Sequence, residues 1–154
     1  MANVSAVPFC PEDLAFGTPR AMPDIHGGDG HDVLDGHARV LSDQDEGWTE
    51  GMIAAACQML ETARRRQVRL AVLTDISAAC GSQVVYRGAR SAAAHQIGQG
   101  VCAALLTRNG IPVVSQRDFR TLGRVFRKLG AEIPEGFPPA DHHEIEWYRS
   151  YFDA

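Results

Sequence analysis

Two cysteines in this chain stand beside groups that can handle protons: Cys10 in Phe9-Cys10-Pro11-Glu12, and Cys80 in Ser77-Ala78-Ala79-Cys80-Gly81-Ser82. Each follows an apolar run that reads as a strand. Thiol, carboxylate and hydroxyl at one sheet edge would suit a metal or redox site, because the strand ends of open α/β sheets are where ligands usually bind. Cysteine thiolates are also the usual ligands of iron-sulfur clusters, and an iron left without a protein ligand can act as a Lewis acid. Two cysteines rarely complete such a site alone. The competing reading makes Cys10 and Cys80 buried thiols and Glu12 an exposed loop acid, and spacing alone does not decide between them.

The elements that must position these groups belong to a chain of 154 residues, 45% hydrophobic and 22% charged. That fits one soluble domain with an ordinary core. A net charge of -4 gives no basic field, so DNA is not an expected partner. Arg64-Arg65-Arg66 reads as a solvated helix end, where positive charge is welcome. No apolar run is long enough to cross a bilayer, and Met1-Ala2-Asn3-Val4-Ser5 has neither a basic region nor a long apolar core. A cytoplasmic location follows as the expectation, with Cys10, Cys57, Cys80 and Cys102 reduced. Cys57 and Cys102, set among alanines and leucines, read as packing residues.

Ala6-Val7-Pro8-Phe9 reads as a first strand stopped by Cys10-Pro11. Phe16 to Gly36, rich in Gly, Pro, Asp and His, reads as a long surface excursion that covers a site. His37 to Leu41 is an edge-strand candidate. A helix starts near Thr49, with Met52, Ile53, Ala56, Met59, Leu60 and Ala63 on one stripe. Leu70-Ala71-Val72-Leu73 suits a strand buried on both faces.

A second helix follows Gly98-Gln99-Gly100 and ends at Asn109-Gly110, with Pro112-Val113-Val114-Ser115 as the next strand. Asp118 is placed to cap a third helix that Gly130 stops. Alternating strands and helices indicate a parallel α/β sheet, whose right-handed crossovers would bring Cys10 and Cys80 to one side. The domain spans residues 1–130, and residues 131–154 form an extension with a helix from Asp141 to Phe152. Asp141-His142-His143-Glu144 offers metal-capable side chains, but adjacent helical residues point apart, so it reads as a surface turn. His26, His31 and His95 read as surface or loop residues. Gly98-Gln99-Gly100 as a phosphate cradle lacks the lysine of a phosphate loop.

Four motifs in order carry a resemblance: Cys10-Pro11-Glu12; Gly28-Asp29-Gly30 through Val33-Leu34-Asp35-Gly36-His37-Ala38-Arg39-Val40; Ser77-Ala78-Ala79-Cys80-Gly81-Ser82; and Gly98-Gln99-Gly100-Val101-Cys102-Ala103-Ala104-Leu105-Leu106. Together they resemble the bacterial thiouracil desulfidases, the TudS-like proteins formerly called a domain of unknown function, over about Val7 to Ser115. The resemblance implies a Rossmann-like α/β fold with an open, mostly parallel sheet flanked by helices. It also implies removal of sulfur from thiolated uracil, giving uracil and sulfide without net redox change, and an oxygen-sensitive [4Fe-4S] cluster held by three cysteines. Cys10 and Cys80 are then cluster ligands, Glu12 and Ser77 the catalytic acid/base and hydroxyl, and Gly81 and Ser82 neighbours of the substrate, a thiolated nucleobase.

Members of that family normally carry a strand and a first cysteine motif before the Cys-Pro-Glu element, whereas here Val4-Ser5-Ala6 runs straight into Val7-Pro8-Phe9-Cys10. Ala78 and Ala79 also stand where proline and serine are usual. Three explanations stay open: a start placed too far downstream, a truncation in which Cys57 or Cys102 substitutes as ligand, or a homologue that has lost the cluster and kept a nucleobase-binding pocket. A missing strand would uncover apolar surface on Leu70 to Leu73 and favour a homodimer.

Overall fold

The computed structural model describes residues 4–153. Residues 1–3, part of the stretch read as carrying no leader, lie outside the described residues. The elements in order are α1 (Pro11–Phe16), β1 (Pro23–His26), α2 (Gly30–Leu34), β2 (Arg39–Ser42), α3 (Thr49–Arg65), β3 (Ala71–Leu73), β4 (Val84–Tyr86), β5 (His95–Ile97), α4 (Val101–Arg108), β6 (Val113–Ser115), α5 (Phe119–Lys128) and α6 (Glu146–Phe152), with short 3-10 turns at Arg90–Ala92 and His142–Glu144. The class is α/β. Among the described residues the strands form three separate pairs: β3 with β6 in parallel, and β1 with β2 and β4 with β5 antiparallel. A mostly parallel sheet was the expectation, but only the β3–β6 pair is joined by a helical crossover; the other two pairs run antiparallel.

Residues 4–10 form no strand. Pro8 has no N–H to give a ladder, and the chain instead enters α1 directly, with Pro11 in the first turn and Cys10 as the N-cap. The Phe16 to Gly36 segment is not one loop, since it holds β1 and α2. Asp29 and Asp32 form a reciprocal capping box that starts α2 after the Gly27-Gly28 turn, and β1 is fixed by its register with β2, Ile25 opposite Val40.

The core gathers Ile25, Val33, Val40, Met52, Ala56, Leu60, Leu73, Val101, Ala103 and Leu106. The apolar stripe of α3 is therefore met by α4 on one side and by α1 on another. Phe16 stacks on Trp48 with ring centroids 4.0 Å apart, pinning α1 to the start of α3. In β3, Ala71 and Leu73 face inward, but Val72 is 49% exposed, so this strand is covered on one face and not on both.

Two further expectations change. Asp118 precedes α5 without bonding to its first amides; its carboxylate accepts from Ser115 N (3.0 Å), Gln83 Nε2 (2.6 Å) and His142 N (3.1 Å). The Asp141 to Glu144 segment is not a surface turn throughout, because Asp141 and His142 are buried beneath α6. No helix among the described residues is long and apolar enough to cross a membrane.

Candidate functional site

Glu12 lies in the first turn of α1, two residues after the Cys10 cap, whose sulfur accepts from Asp13 N at 3.4 Å. Ser77 opens the turn after β3 that leads to Cys80. Between these two segments the Ser77 hydroxyl donates to Glu12 Oε1 at 3.2 Å. Ser77 Oγ itself accepts from Ala79 N (3.2 Å) and Cys80 N (3.1 Å), so the Cys80 backbone is tied to the side chain that touches Glu12. The segments read as chemically active are thus brought together, though Cys10 arrives on a helix cap and not on a strand end.

The cradle around Cys80 is rigid for further reasons. Gly100 N donates to Gly81 O, Val101 N to Ala78 O, and Cys102 N and Ala103 N to Ala79 O. These amides at the start of α4 are consumed by the Cys80 turn, which rules out the phosphate cradle considered for Gly98-Gln99-Gly100. A side chain at Gly100 would lie 2.5 Å from the Ala79 carbonyl carbon, and one at Gly81 would lie 2.7 Å from Ser77 O. Gly81 and Ser82 are buried, with the Ser82 hydroxyl unpartnered among the described residues.

Arg20 was not singled out from the sequence. Its guanidinium pairs with Glu12 Oε2 at 3.1 Å and lies 4.0 Å from the Cys10 sulfur. The available signal was the turn Gly17-Thr18-Pro19-Arg20, which returns the chain toward α1; Arg20 Nη1 donates to both Gly17 O (3.1 Å) and Thr18 Oγ1 (3.0 Å).

The thiols divide by environment. All four are free. Burial first, then the nearby Glu12 and Cys10, push the Cys80 thiol up to about 12. Burial likewise pushes the Cys102 thiol far up, and its side chain is part of the core. Cys102 therefore packs, as expected. Cys57 does not, because its position on α3 turns it to solvent.

Two other clusters deserve placing. An open cleft of about 360 Å³ is lined by His26, Gly27, Gly36, His37, Ala38 and Arg39, and none of the thiols borders it. Asp118, Asp141 and His143 hold possible ligand atoms within 4.8 Å of one another. Their carboxylates, however, already accept from Ser115, Gln83, His142 and Thr121.

The model of the 2-thiouracil desulfurase family matches residues 1–118. The chain belongs to that family. A relative in Bacillus subtilis (strain 168), the uncharacterized protein YbbK, is 36% identical over 118 residues, which are 76% of this chain and 78% of that protein. Among solved structures, a [4Fe-4S]-dependent thiouracil desulfidase, TudS, superposes with a TM-score of 0.65 at 27% identity, covering 79% of this chain and 74% of that one.

The residues of this desulfurase-family chain fit two ligands of such a cluster. Cys10 and Cys80 offer soft sulfur donors on the two segments that the Ser77 to Glu12 hydrogen bond joins, near enough for Cys10 to act on the Cys80 thiol. The Cys80 pocket, by holding its thiol protonated up to about 12, leaves a thiolate without a compensating charge, and a bound iron would supply that charge and deprotonate the sulfur outright. Cys102, enclosed in the core behind Cys80, and Cys57, on the solvent side of α3, do not share that position.

Proposed function

We propose that this chain is a desulfidase that removes sulfur hydrolytically from a thiolated pyrimidine such as 2-thiouracil, giving uracil and sulfide with no net redox change. The observation that carries the reading is the Ser77 to Glu12 hydrogen bond of 3.2 Å, which joins the two cysteine segments into one site. Membership of the 2-thiouracil desulfurase family and likeness to a [4Fe-4S]-dependent desulfidase support it.

Cys10 and Cys80 would supply two of the ligands of a [4Fe-4S] cluster, which when bound supplies a Lewis-acidic iron to the substrate's sulfur. The chain's own groups move the protons. Glu12 takes a proton from the water that adds to the ring carbon and passes it to the sulfur; as the ring carbonyl re-forms and the C–S bond breaks, the remaining hydroxyl proton follows by the same carboxylate, so that thiouracil and water give uracil and hydrogen sulfide. Ser77 holds the carboxylate in orientation through Oε1, while Arg20 holds it through Oε2. Gly81 and Ser82, both buried in the Cys80 turn, would back the side of the site that the base meets. A reducing cytoplasm is the compartment that suits such free thiols.

Anaerobic reconstitution with iron and sulfide tests the reading. The wild-type chain should take up iron with broad visible absorption and release sulfide from 2-thiouracil; Cys10→Ser and Cys80→Ser should each abolish both, and Cys57→Ser should leave them intact. A wild-type chain that takes up no iron would remove the enzyme reading in favour of a binding module without a cluster.

A further inference from the structure

Residues beyond 118 lie outside the family match, yet one of them reaches the turn that carries Ser77 and Cys80. Asp75 stands at the start of that turn. Its Oδ1 accepts from Ile76 N (3.0 Å), Ser82 N (3.1 Å), Gln83 N (3.3 Å) and Val84 N (3.2 Å), so a single carboxylate oxygen closes residues 75–84 into a loop. The other oxygen, Oδ2, lies 3.0 Å from His142 Nδ1, and neither side chain has exposed surface. A buried carboxylate without that contact would lose a partner it cannot replace with water.

His142 is itself held from behind. The Trp147 ring of α6 lies parallel to it at 5.6 Å, and the Tyr148 ring meets it edge-on at 5.5 Å. Its backbone N–H donates to Asp118, which also takes the Gln83 side chain, so the C-terminal segment reaches the 75–84 loop by two routes. The ring's Nε2 has no partner among the described residues. Among those residues the ring's one polar contact is Asp75.

We propose that Asp75 and His142 are positioning residues, and that the C-terminal segment braces the 75–84 loop so that Ser77 and Cys80 stay opposite Glu12 and Cys10. The inference rests on reading those four residues as the site. The brace acts through another group and touches no substrate.

Amide hydrogen exchange on the full-length, metal-free chain tests it, comparing wild type with His142→Leu and His142→Asn, whose amide can still donate to Asp75. In His142→Leu the amides of Ile76, Ser82, Gln83 and Val84 should exchange about tenfold faster or more, while those of Met59 and Leu60 in α3 keep their protection. Alkylation of Cys80 should accelerate relative to Cys10, and iron retained after reconstitution should fall. His142→Asn should recover all three readouts.

Wild-type protection of the loop amides in His142→Leu, equal loosening of α3, iron retention in both variants equal to that of a wild type that takes up iron, or an asparagine variant no better than leucine would each overturn the brace. If His142→Leu does not fold, the wild type decides. The loop amides and the His142 amide should then open together, and exchange at His142 with the loop still protected overturns the proposal. Failure here with normal iron uptake by the wild type leaves the desulfidase reading standing, and the reverse result removes that reading while the exchange data judge the brace.

Discussion

Glu12 has one oxygen on the Ser77 hydroxyl and the other on the Arg20 guanidinium, so replacing it with glutamine keeps the shape and removes the base. Glu12→Gln in the reconstituted protein should lower desulfuration by about 10²–10⁴-fold, with the unfolding midpoint little changed. An unchanged turnover would remove Glu12 from proton transfer. The Cys80 thiol supplies a second expectation. Held at about 12 against an ordinary 9.0, it keeps in the folded, metal-free chain a proton that the unfolded chain releases at lower pH. Its contribution to stability is therefore complete below the unfolded value and is lost as pH rises toward the folded one. Urea midpoints of the metal-free chain should fall from about pH 9 upward, and Cys80→Ser should flatten part of that fall. A midpoint independent of pH in that range would contradict the burial of this thiol.

The element that fixes Cys80 most tightly is the start of α4. Gly100 approaches the Ala79 and Ser77 carbonyl groups so closely that an added methyl would meet backbone at 2.5 to 2.7 Å. Gly100→Ala should destabilise the fold by about 1–3 kcal/mol, as overpacking against unyielding backbone does, and should also reduce iron retention because the Cys80 turn must shift. Denaturant unfolding beside iron analysis checks this, and wild-type values for both would show that the contact yields freely. The sequence made α3, α4, α5, β3 and β6 readable, because apolar periodicity, glycine stops and continuous apolar runs are local signals. The β1–α2 stretch was not, since four- and five-residue elements there are set by an aspartate capping box and by pairing with β2. The β4–β5 pair, three residues in each strand, gave no pattern long enough to see. At the candidate site, Cys10, Cys80, Glu12 and Ser77 were named from the ordered motifs, and the structure brings Ser77 and Glu12 into contact. Arg20 could not, because its partner is defined by the fold of a turn, and His142 could not, because Asp75 lies 67 residues away along the chain.

At the scale of the whole molecule, the parallel pair β3–β6 has no further strand beside it among the described residues. Val72 of β3, read from the sequence as buried, is 49% exposed, as is appropriate to a sheet face that the rest of the chain leaves open. Unpaired strand edges and exposed β-branched side chains are where a second chain adds on. Covering one valine contributes only about 1.5–3 kcal/mol at full burial, so association through this face should be concentration-dependent and sensitive to a single charge. Sedimentation of the metal-free chain should show a reversible homodimer forming as concentration rises, and Val72→Lys should hold it as a monomer, because lysine on an edge strand opposes a like charge across the two-fold contact. Cys80 alkylation and iron uptake should be the same in Val72→Lys as in wild type, since Val72 points away from the turn that Asp75 and α4 hold. Monomeric sedimentation of the wild type at every concentration would assign the exposed valine no partner, and loss of iron uptake in the lysine variant would mean that β3 itself moves with the site.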